Sequence, residues 1–345
     1  MKSIIRFWKG ILPICAMLML IFDSKTGLTG AVEGINLCIR AVIPSLFPFI
    51  VLSGYLTGNI GSIKSALLTR IGSLLKIPSG METLFITGMI GGYPVGAQVI
   101  AQAHNAGMLD REQARRMMGF CNNAGPAFLF GMLAPFFSGL PILWLLWFIH
   151  ILSAMIVGFL LPEEGIQNPR AEAIQKEMTF PVAVTRAVRI IGLICGWVIL
   201  FRIIYGFLNK WLFRFFPVEI RVLLCGILEL TNGCVSLADI SQEHIRFVLA
   251  VVFLNFGGVC VGMQTSSVIG ALGSGFYFPG KLLQAGIGLL LSGLALPCLY
   301  PGYSLPYLIP FALLWTLALM ISLYFPKITV AFSGFSVYNK KNMTK

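Results

Sequence analysis

The sequence predicts an all-α polytopic membrane protein. Its 345 residues are 57% hydrophobic and only 11% charged, whereas an ordinary soluble domain carries about 25% charged residues. The mean hydropathy is +0.87. The apolar stretches recur along the whole chain, which excludes a secreted soluble enzyme, and many are long enough for a helix to cross a bilayer. Glycine and proline interrupt other apolar stretches, where a continuous helix should break.

Eight apolar runs, bounded by charges or by glycine and proline, predict full membrane spans. They lie near residues 4–22, 35–57, 119–138, 142–161, 187–208, 247–272, 281–300 and 306–326. The first run follows Lys2, Arg6 and Lys9, so it also has the layout of a signal peptide. No convincing small-residue cleavage site follows Phe22, and we therefore expect an uncleaved first span.

Two further apolar stretches, residues 84–103 and 221–238, contain glycine or polar residues. They predict re-entrant hairpins or unwound helices rather than spans. Non-helical backbone is tolerated at this depth only where protein or a water-filled cavity surrounds it. We therefore expect these stretches to gather around a shared polar pocket.

The net charge of +12 is explained by cationic loops rather than by nucleic-acid binding. If both termini are cytoplasmic, 18 of the 25 Lys and Arg residues face the cytoplasm, including Lys281, which this count assigns to a loop. Lys210, Arg214 and Arg221 cluster on the other side. The positive-inside rule thus favours cytoplasmic amino and carboxyl termini.

The longest strongly polar stretch before the tail is residues 162–180, at the middle of the chain. On either side the same parts follow in order: a span, a hairpin, a short amphipathic piece (residues 109–118 and 239–246) and a broken span. The second unit would enter the membrane from the opposite side, which predicts inverted repeats; chance similarity between glycine-rich spans is the alternative. The predicted units are an amino-terminal span (1–30), a first repeat (31–161), a cytoplasmic linker (162–186), a second repeat (187–300) and a final span with the tail (301–345).

Candidate binding residues of the first half surround two predicted helix breaks. Gly92 and Tyr93 belong to a Gly-Gly-Tyr-Pro-Val-Gly segment, and Gln98 follows within a turn or so. Asn122 and Asn123 precede a Gly-Pro pair, a pattern suited to capping a half-helix. A helix amino terminus at mid-membrane favours an anionic or strongly polar ligand. The alternative is that these glycines only permit close helix packing.

Glu229 is the only carboxylate that we place at membrane depth. Ionisable groups there are costly, so Glu229 is a candidate proton carrier, ion ligand or counter-charge to Arg40 or Arg202. A structural ion pair or an interfacial position is the alternative. The remaining candidates of the second half are amide and hydroxyl side chains at or near its glycine breaks: Asn232, Asn255, Gln264, Thr265 and Ser266.

No metal, cofactor or catalytic site is expected. Almost all of the eight cysteines lie in apolar segments, and none forms a C-x-x-C pair. This pattern is typical of cysteines that are buried as small hydrophobic side chains. The sequence has no H-E-x-x-H, G-x-S-x-G or Walker motif. We therefore do not expect an enzyme, and without an ATP site a gradient or facilitated diffusion would drive transport.

These motifs together resemble the sporulation integral membrane proteins with nucleoside-recognition, or Gate, domains. The resemblance spans roughly residues 30–300 and rests on residues 88–103, 107–118 and 120–126 and on Asn255-Phe256-Gly257-Gly258 followed by Gln264. It implies an endospore-forming bacterium, kinship with concentrative nucleoside carriers, and a role in moving dipicolinic acid toward the forespore. Gly91 and Val95 stand where family members often have Ser or another small residue and Thr, so the resemblance bears on the fold more than on the substrate.

The expected function is a secondary transporter or facilitator for a small polar or anionic solute, with dipicolinic acid as the solute that the resemblance implies. A nucleoside carrier and a non-transporting scaffold for spore assembly are the alternatives. The expected location is a bacterial cell membrane, such as the mother-cell-derived outer forespore membrane. Expected partners are the solute and membrane lipid, not nucleic acid, and a homo-oligomer is compatible with this reading.

Overall fold

The computed structural model describes residues 2–59, 65–162, 179–301 and Leu319. Within these residues the regular structure is entirely helical. The α-helices are α1 (Lys2–Phe22), α2 (Ser24–Leu37), α3 (Ile43–Asn59), α4 (Ala66–Leu74), α5 (Glu82–Gly91), α6 (Val95–Asn105), α7 (Arg111–Met117), α8 (Pro126–Leu133), α9 (Leu140–Leu160), α10 (Phe180–Trp211), α11 (Val218–Leu228), α12 (Leu230–Ser236), α13 (Glu243–Phe256), α14 (Gly258–Ile269) and α15 (Tyr277–Leu299). A π-helical turn, Cys38–Val42, joins α2 to α3.

Five described segments are long and apolar enough to cross a membrane. They are Ser24–Leu52, Leu140–Leu160, Phe180–Trp211, Glu243–Leu272 and Tyr277–Leu299. Each overlaps one of the predicted spans, although Ser24–Leu52 begins 11 residues before the predicted 35–57. The all-helical class and these five spans agree with the sequence, whereas the total of eight spans stays a prediction.

The other predicted spans have different outcomes. The predicted first span coincides with α1, in which Pro13–Phe22 forms a shorter apolar helix. The predicted span 119–138 is largely non-helical up to Gly125, and its apolar helical part, Pro126–Phe136, is too short to cross a bilayer alone. The last predicted span (306–326), the tail and most of the predicted linker lie outside the described residues.

Both predicted hairpin segments fold as pairs of short helices that pack against each other, α5 with α6 and α11 with α12. The first pair turns at Gly92, whose φ of +74° is accessible mainly to glycine. The second pair turns at Glu229, whose backbone is extended and whose carboxylate caps α12. Each turn thus follows from the local chemistry of a single residue.

An interrupted helix follows each hairpin. Between α7 and α8 the chain is non-helical from residue 118 to 125 apart from turns. Between α13 and α14 it turns at Gly257 and Gly258, which both have positive φ. The predicted second amphipathic piece, residues 239–246, is not a separate helix, because α13 begins at Glu243 and continues without a break.

The helices pack in two groups around these interrupted elements. Helices α2 and α3 pack along α10, while α9, α13 and α15 pack together. The interrupted elements also contact each other across the two halves, since α6 packs against α14 and α12 packs against α8. Each hairpin thus contacts the broken helix of the other half.

A buried arginine ties the ends of two helices together. Arg116 is 2% exposed, and its guanidinium donates to backbone carbonyls at the carboxyl ends of α4 and α9. The acceptors are the carbonyls of Leu75, Lys76, Gly158, Leu161 and Pro162, at 2.5 to 3.3 Å. Helix ends leave such carbonyls without intrahelical partners, so one side chain satisfies two helix ends.

We expect Arg116→Lys to destabilise the folded protein by about 2 to 4 kcal/mol, because an ammonium cannot reach all of these carbonyls and leaves some unpaired. Thermal unfolding of the purified protein in detergent would measure the change. Arg115→Lys is the matched control, since Arg115 is half-exposed and pairs with Glu112 at 3.2 Å; it should cost less than about 1 kcal/mol. Equal effects of the two substitutions would contradict this role of Arg116.

Candidate functional site

The two hairpin turns and the two helix breaks meet at one place. Gly92 lies so close to Gly125 that a Cβ on Gly92 would be 3.0 Å from the Gly125 nitrogen. The Tyr93 hydroxyl donates to the carbonyl of Leu254 at 3.4 Å, at the end of α13. Gly258 in turn lies against the start of α12. All four interruptions are therefore contiguous in space.

This convergence requires two glycines in the first hairpin. A Cβ placed on Gly88 or on Gly96 would overlap the backbone carbonyl of Cys121. The non-helical segment before α8 can therefore lie directly between α5 and α6 only because both positions lack a side chain. This close backbone approach holds the first break against the first hairpin.

Four helices begin at the point of convergence: α6, α8, α12 and α14. The first turn of a helix exposes N–H groups without intrahelical partners and carries a partial positive charge. Pro126 at the start of α8 lacks an N–H, and Glu229 occupies the amino terminus of α12. The partial positive charge at the amino termini of α6 and α14 still favours a polar or anionic group at the centre.

A cavity of about 530 Å³, including its opening, lies at this centre. Backbone of both turns and of the first break lines it, together with apolar side chains of α3 and α10. Its polar side chains are those of Tyr93, Glu229, Thr231 and Gln264. An apolar wall with a few polar groups is the usual character of a small-molecule site.

Glu229 is 2% exposed and lies at the edge of this cavity. Its two carboxylate oxygens accept hydrogen bonds from the backbone nitrogens of Thr231 at 3.0 Å and Asn232 at 2.6 Å. The negative charge therefore faces the amino terminus of its own helix. Asn232 is also buried, with 1% of its surface exposed.

Of the three alternatives for Glu229, a counter-charge to Arg40 or Arg202 is not found in the structure. Arg40 is exposed, and Arg202 pairs with Glu33 at 2.9 Å between α2 and α10. Among the described residues Glu229 takes part in no ion pair. Backbone amides rather than an arginine compensate its charge.

Asn122 connects three of the converging elements. Its side-chain oxygen accepts from the backbone nitrogen of Ala97 at 3.1 Å, and its nitrogen donates to the Thr265 hydroxyl at 3.0 Å. Neither Asn122 nor Asn123 caps α8 as predicted. The residue at the N-cap is Gly125, and the two asparagines lie too far ahead of the helix, so their side chains bind neighbouring elements.

A second polar cluster lies behind Tyr93. The Lys281 ammonium on α15 is fully buried and donates to the side-chain oxygens of Asn123 and Gln284, each at 2.7 Å. The Gln284 amide nitrogen also donates to Asn123 at 2.9 Å. The ammonium nitrogen is 5.2 Å from the centre of the Tyr93 ring. This cluster thus adjoins the cavity through one aromatic side chain.

His150 and Asn255 extend this cluster toward α9 and α13. A ring nitrogen of His150 lies 3.0 Å from the Asn255 side-chain oxygen, and the Asn255 nitrogen donates to the Val251 carbonyl at 2.7 Å. The Gln284 nitrogen lies 3.5 Å from the His150 carbonyl. The polar groups of α9, α13 and α15 are therefore joined by hydrogen bonds.

The predicted candidates fall into distinct places. Gly92, Tyr93, Glu229 and Gln264 line the cavity. Asn122 with Thr265, and Asn123 with Asn255, lie in the surrounding hydrogen-bonded shell, and the backbone N–H of Asn232 donates to the Glu229 carboxylate. Gln98 and Ser266 lie outside the cavity lining, and Ser266 is exposed and donates to the Gly262 carbonyl.

Sequence reasoning missed Lys281, Gln284 and His150. The charge count assigned Lys281 to a cytoplasmic loop, but the structure places it inside a candidate span. Lys281 is the single charged residue between positions 247 and 300, and this isolation was an available signal. Among the described residues no group of three His, Cys, Asp or Glu side chains could hold a metal ion.

The fold and the site are those of a membrane protein with interrupted helices around an internal cavity. The chain is 26% identical over 331 residues to the sporulation integral membrane protein YlbJ of Bacillus subtilis (strain 168). The aligned region covers 82% of this chain and 79% of the relative. This similarity supports the predicted relation to sporulation integral membrane proteins. No family model matches the chain, and no solved structure matches it. The Gate domain and dipicolinic acid stay predictions.

We expect Gly96→Ala to disrupt the site, because the new methyl group would overlap the Cys121 carbonyl and such overpacking costs about 1 to 3 kcal/mol. The yield of monodisperse protein and its thermal stability in detergent would measure the effect. Gly192→Ala on α10 is the control, since nothing lies within 4 Å of its Cβ position. It should be neutral or stabilise the helix by up to about 1 kcal/mol, and a similar loss in both variants would argue against the close approach.

Proposed function

We propose that the protein is a secondary transporter or facilitator that moves a small polar or anionic solute across a bacterial membrane during sporulation. The observation that carries this proposal is the meeting of two hairpin turns and two helix breaks around one cavity with a buried carboxylate. Continuous helices would suffice for a passive membrane scaffold. Interrupted backbone inside a membrane is costly and is typical of solute and ion sites.

The contacts between the halves support an inverted-repeat architecture of about eight spans and two hairpins. Each half has a hairpin followed by a broken helix, and each hairpin packs against the broken helix of the other half. A two-fold relation in the membrane plane would produce this reciprocal pattern. In transporters of that kind the solute binds at the interface of the repeats, which is where the cavity lies.

Dipicolinic acid is the solute that we propose. The converging helix amino termini favour an anion, and the aromatic rings of Tyr93, Phe49 and Phe128 along the cavity favour a flat ring. Pyridine-2,6-dicarboxylate combines both features. The choice of this particular dianion rests on the family resemblance, and a nucleoside is the competing flat solute.

The proposal includes a location and an orientation. We place the protein in the outer forespore membrane, with both termini on the cytoplasmic side and with membrane lipid around the helices. It would carry no cofactor, catalyse no reaction and bind no nucleic acid; a homo-oligomer is compatible with it. A reporter enzyme that is active only in the cytoplasm, fused after Lys345, would test the orientation. It should be active if the carboxyl terminus is cytoplasmic.

Liposomes that contain the purified protein should take up or release dipicolinate faster than protein-free liposomes. We expect Gln264→Ala to reduce this flux by roughly 5- to 30-fold, because a solute group would lose its hydrogen-bond partner. Gln242→Ala, at an exposed position before α13, should match the wild type. Tight vesicles without flux of any dicarboxylate or nucleoside under any ion gradient would overturn the transport proposal.

A scaffold and a carrier differ in a cellular test. Sporulating cells whose only copy carries Gln264→Ala should produce spores with reduced dipicolinic acid if the protein is the carrier, although the variant is present at normal levels in the membrane. A scaffold would retain the wild-type phenotype. Competition by uridine or adenosine, but not by dicarboxylates, would instead identify a nucleoside carrier.

A further inference from the structure

We infer that Lys281 supplies the positive charge that makes the cavity select anionic over neutral solutes. This inference rests on the proposed function and deepens it, because it names the solute class and the residue that sets it. The structure places the fully buried side-chain nitrogen of Lys281 5.2 Å from the centre of the Tyr93 ring, which lines the cavity. No carboxylate pairs with it among the described residues.

The first step is the missing counter-charge. A buried ammonium is strongly unfavourable unless an opposite charge or several hydrogen bonds compensate it. Lys281 has two neutral oxygen acceptors, on Asn123 and Gln284, and the face of the Tyr93 ring. These groups accept its hydrogen bonds or face its nitrogen, and none of them carries a negative charge that would neutralise an ammonium.

The second step is the support of these acceptors. The Asn123 nitrogen donates to the Phe120 carbonyl at 2.6 Å, and the Gln284 nitrogen donates to Asn123. Both amide groups are thereby oriented with their oxygens toward the ammonium. These hydrogen bonds fix the position of the Lys281 side-chain nitrogen. A preorganised charge of this kind interacts with a bound ligand without having to move first.

The third step is the position relative to the cavity. Tyr93 is the member of this cluster that also lines the cavity, so a solute stacked on the ring has the ammonium behind it. For two unit charges on the order of 8 Å apart at an effective dielectric constant of about 20, Coulomb's law corresponds to roughly a 30-fold preference. The field of Lys281 is therefore strong enough to discriminate charge.

The fourth step is the contrast with Glu229. Its carboxylate also borders the cavity, but two backbone amides and the amino terminus of α12 face it. Its negative charge is thus partly compensated inside the protein. The ammonium has only neutral acceptors and the other helix amino termini add positive potential, so the cavity favours an anion.

The test compares two probes of the same shape and different charge, pyridine-2,6-dicarboxylate and pyridine-2,6-dicarboxamide. Binding to detergent-purified protein would be measured by thermal stabilisation over a concentration series. We expect Lys281→Met to weaken dicarboxylate binding roughly 30-fold and to leave dicarboxamide binding within about threefold. Lys281→Arg should retain the preference. Lys210→Met is the control, since it removes a partly exposed lysine paired with Asp23 on the outside of the bundle.

Gln284→Glu keeps the side-chain shape and adds a carboxylate beside Lys281, so it tests charge without removing the lysine. It should weaken dicarboxylate binding like Lys281→Met and leave dicarboxamide binding unchanged. Equal losses for both probes, or an unchanged ratio in both variants, would overturn the role of Lys281 and leave the transport proposal standing. A wild-type protein that binds uridine but not the dicarboxylate would also overturn this role, and one that binds no solute would overturn both proposals.

Discussion

The structure depends on one constraint: backbone that leaves the helical conformation inside an apolar bundle needs hydrogen-bond partners from elsewhere in the protein. Three of the four interruptions receive a side-chain partner. Asn122 binds the backbone of α6, Glu229 binds the first amides of α12, and Tyr93 binds the last turn of α13. The partners of the first hairpin and of the last turn of α13 come from other interrupted segments, so those elements depend on one another.

This mutual dependence explains why the interruptions share one place. A turn or break that lay alone against lipid would leave its amides unpaired, whereas four of them together supply donors, acceptors and close backbone contact. Glycines at positions 88 and 96 remove the side chains that would keep the first break apart from the first hairpin. The cavity is the space that remains where four irregular segments meet and cannot fill the centre completely.

Sequence patterns predicted the helical class, five spans and both hairpins, because apolar length and the breaking effects of glycine and proline are local properties. They also identified Glu229, since a lone carboxylate is conspicuous in an apolar stretch. They could not predict which elements would satisfy it, and Arg202 instead pairs with Glu33. Lys281 was misplaced because counting charges by loops assumes that a lysine near the end of an apolar run reaches water, whereas tertiary packing encloses it.

Two buried ionisable side chains, Glu229 and Lys281, lie at or next to the cavity and have separate partners. Glu229 lines the cavity and Lys281 adjoins it through the Tyr93 ring, yet among the described residues the two form no ion pair with each other. A direct pair would cancel both fields and close the space between the elements. Each group instead has its own partners: the carboxylate of Glu229 faces the amino terminus of its own helix, and the side-chain nitrogen of Lys281 faces two amide oxygens and the Tyr93 ring. An arrangement of this kind pays a continuing desolvation penalty in the empty protein, and a bound solute with complementary charge recovers part of it. That recovery would couple occupancy of the cavity to the packing of the hairpins and broken helices that form it.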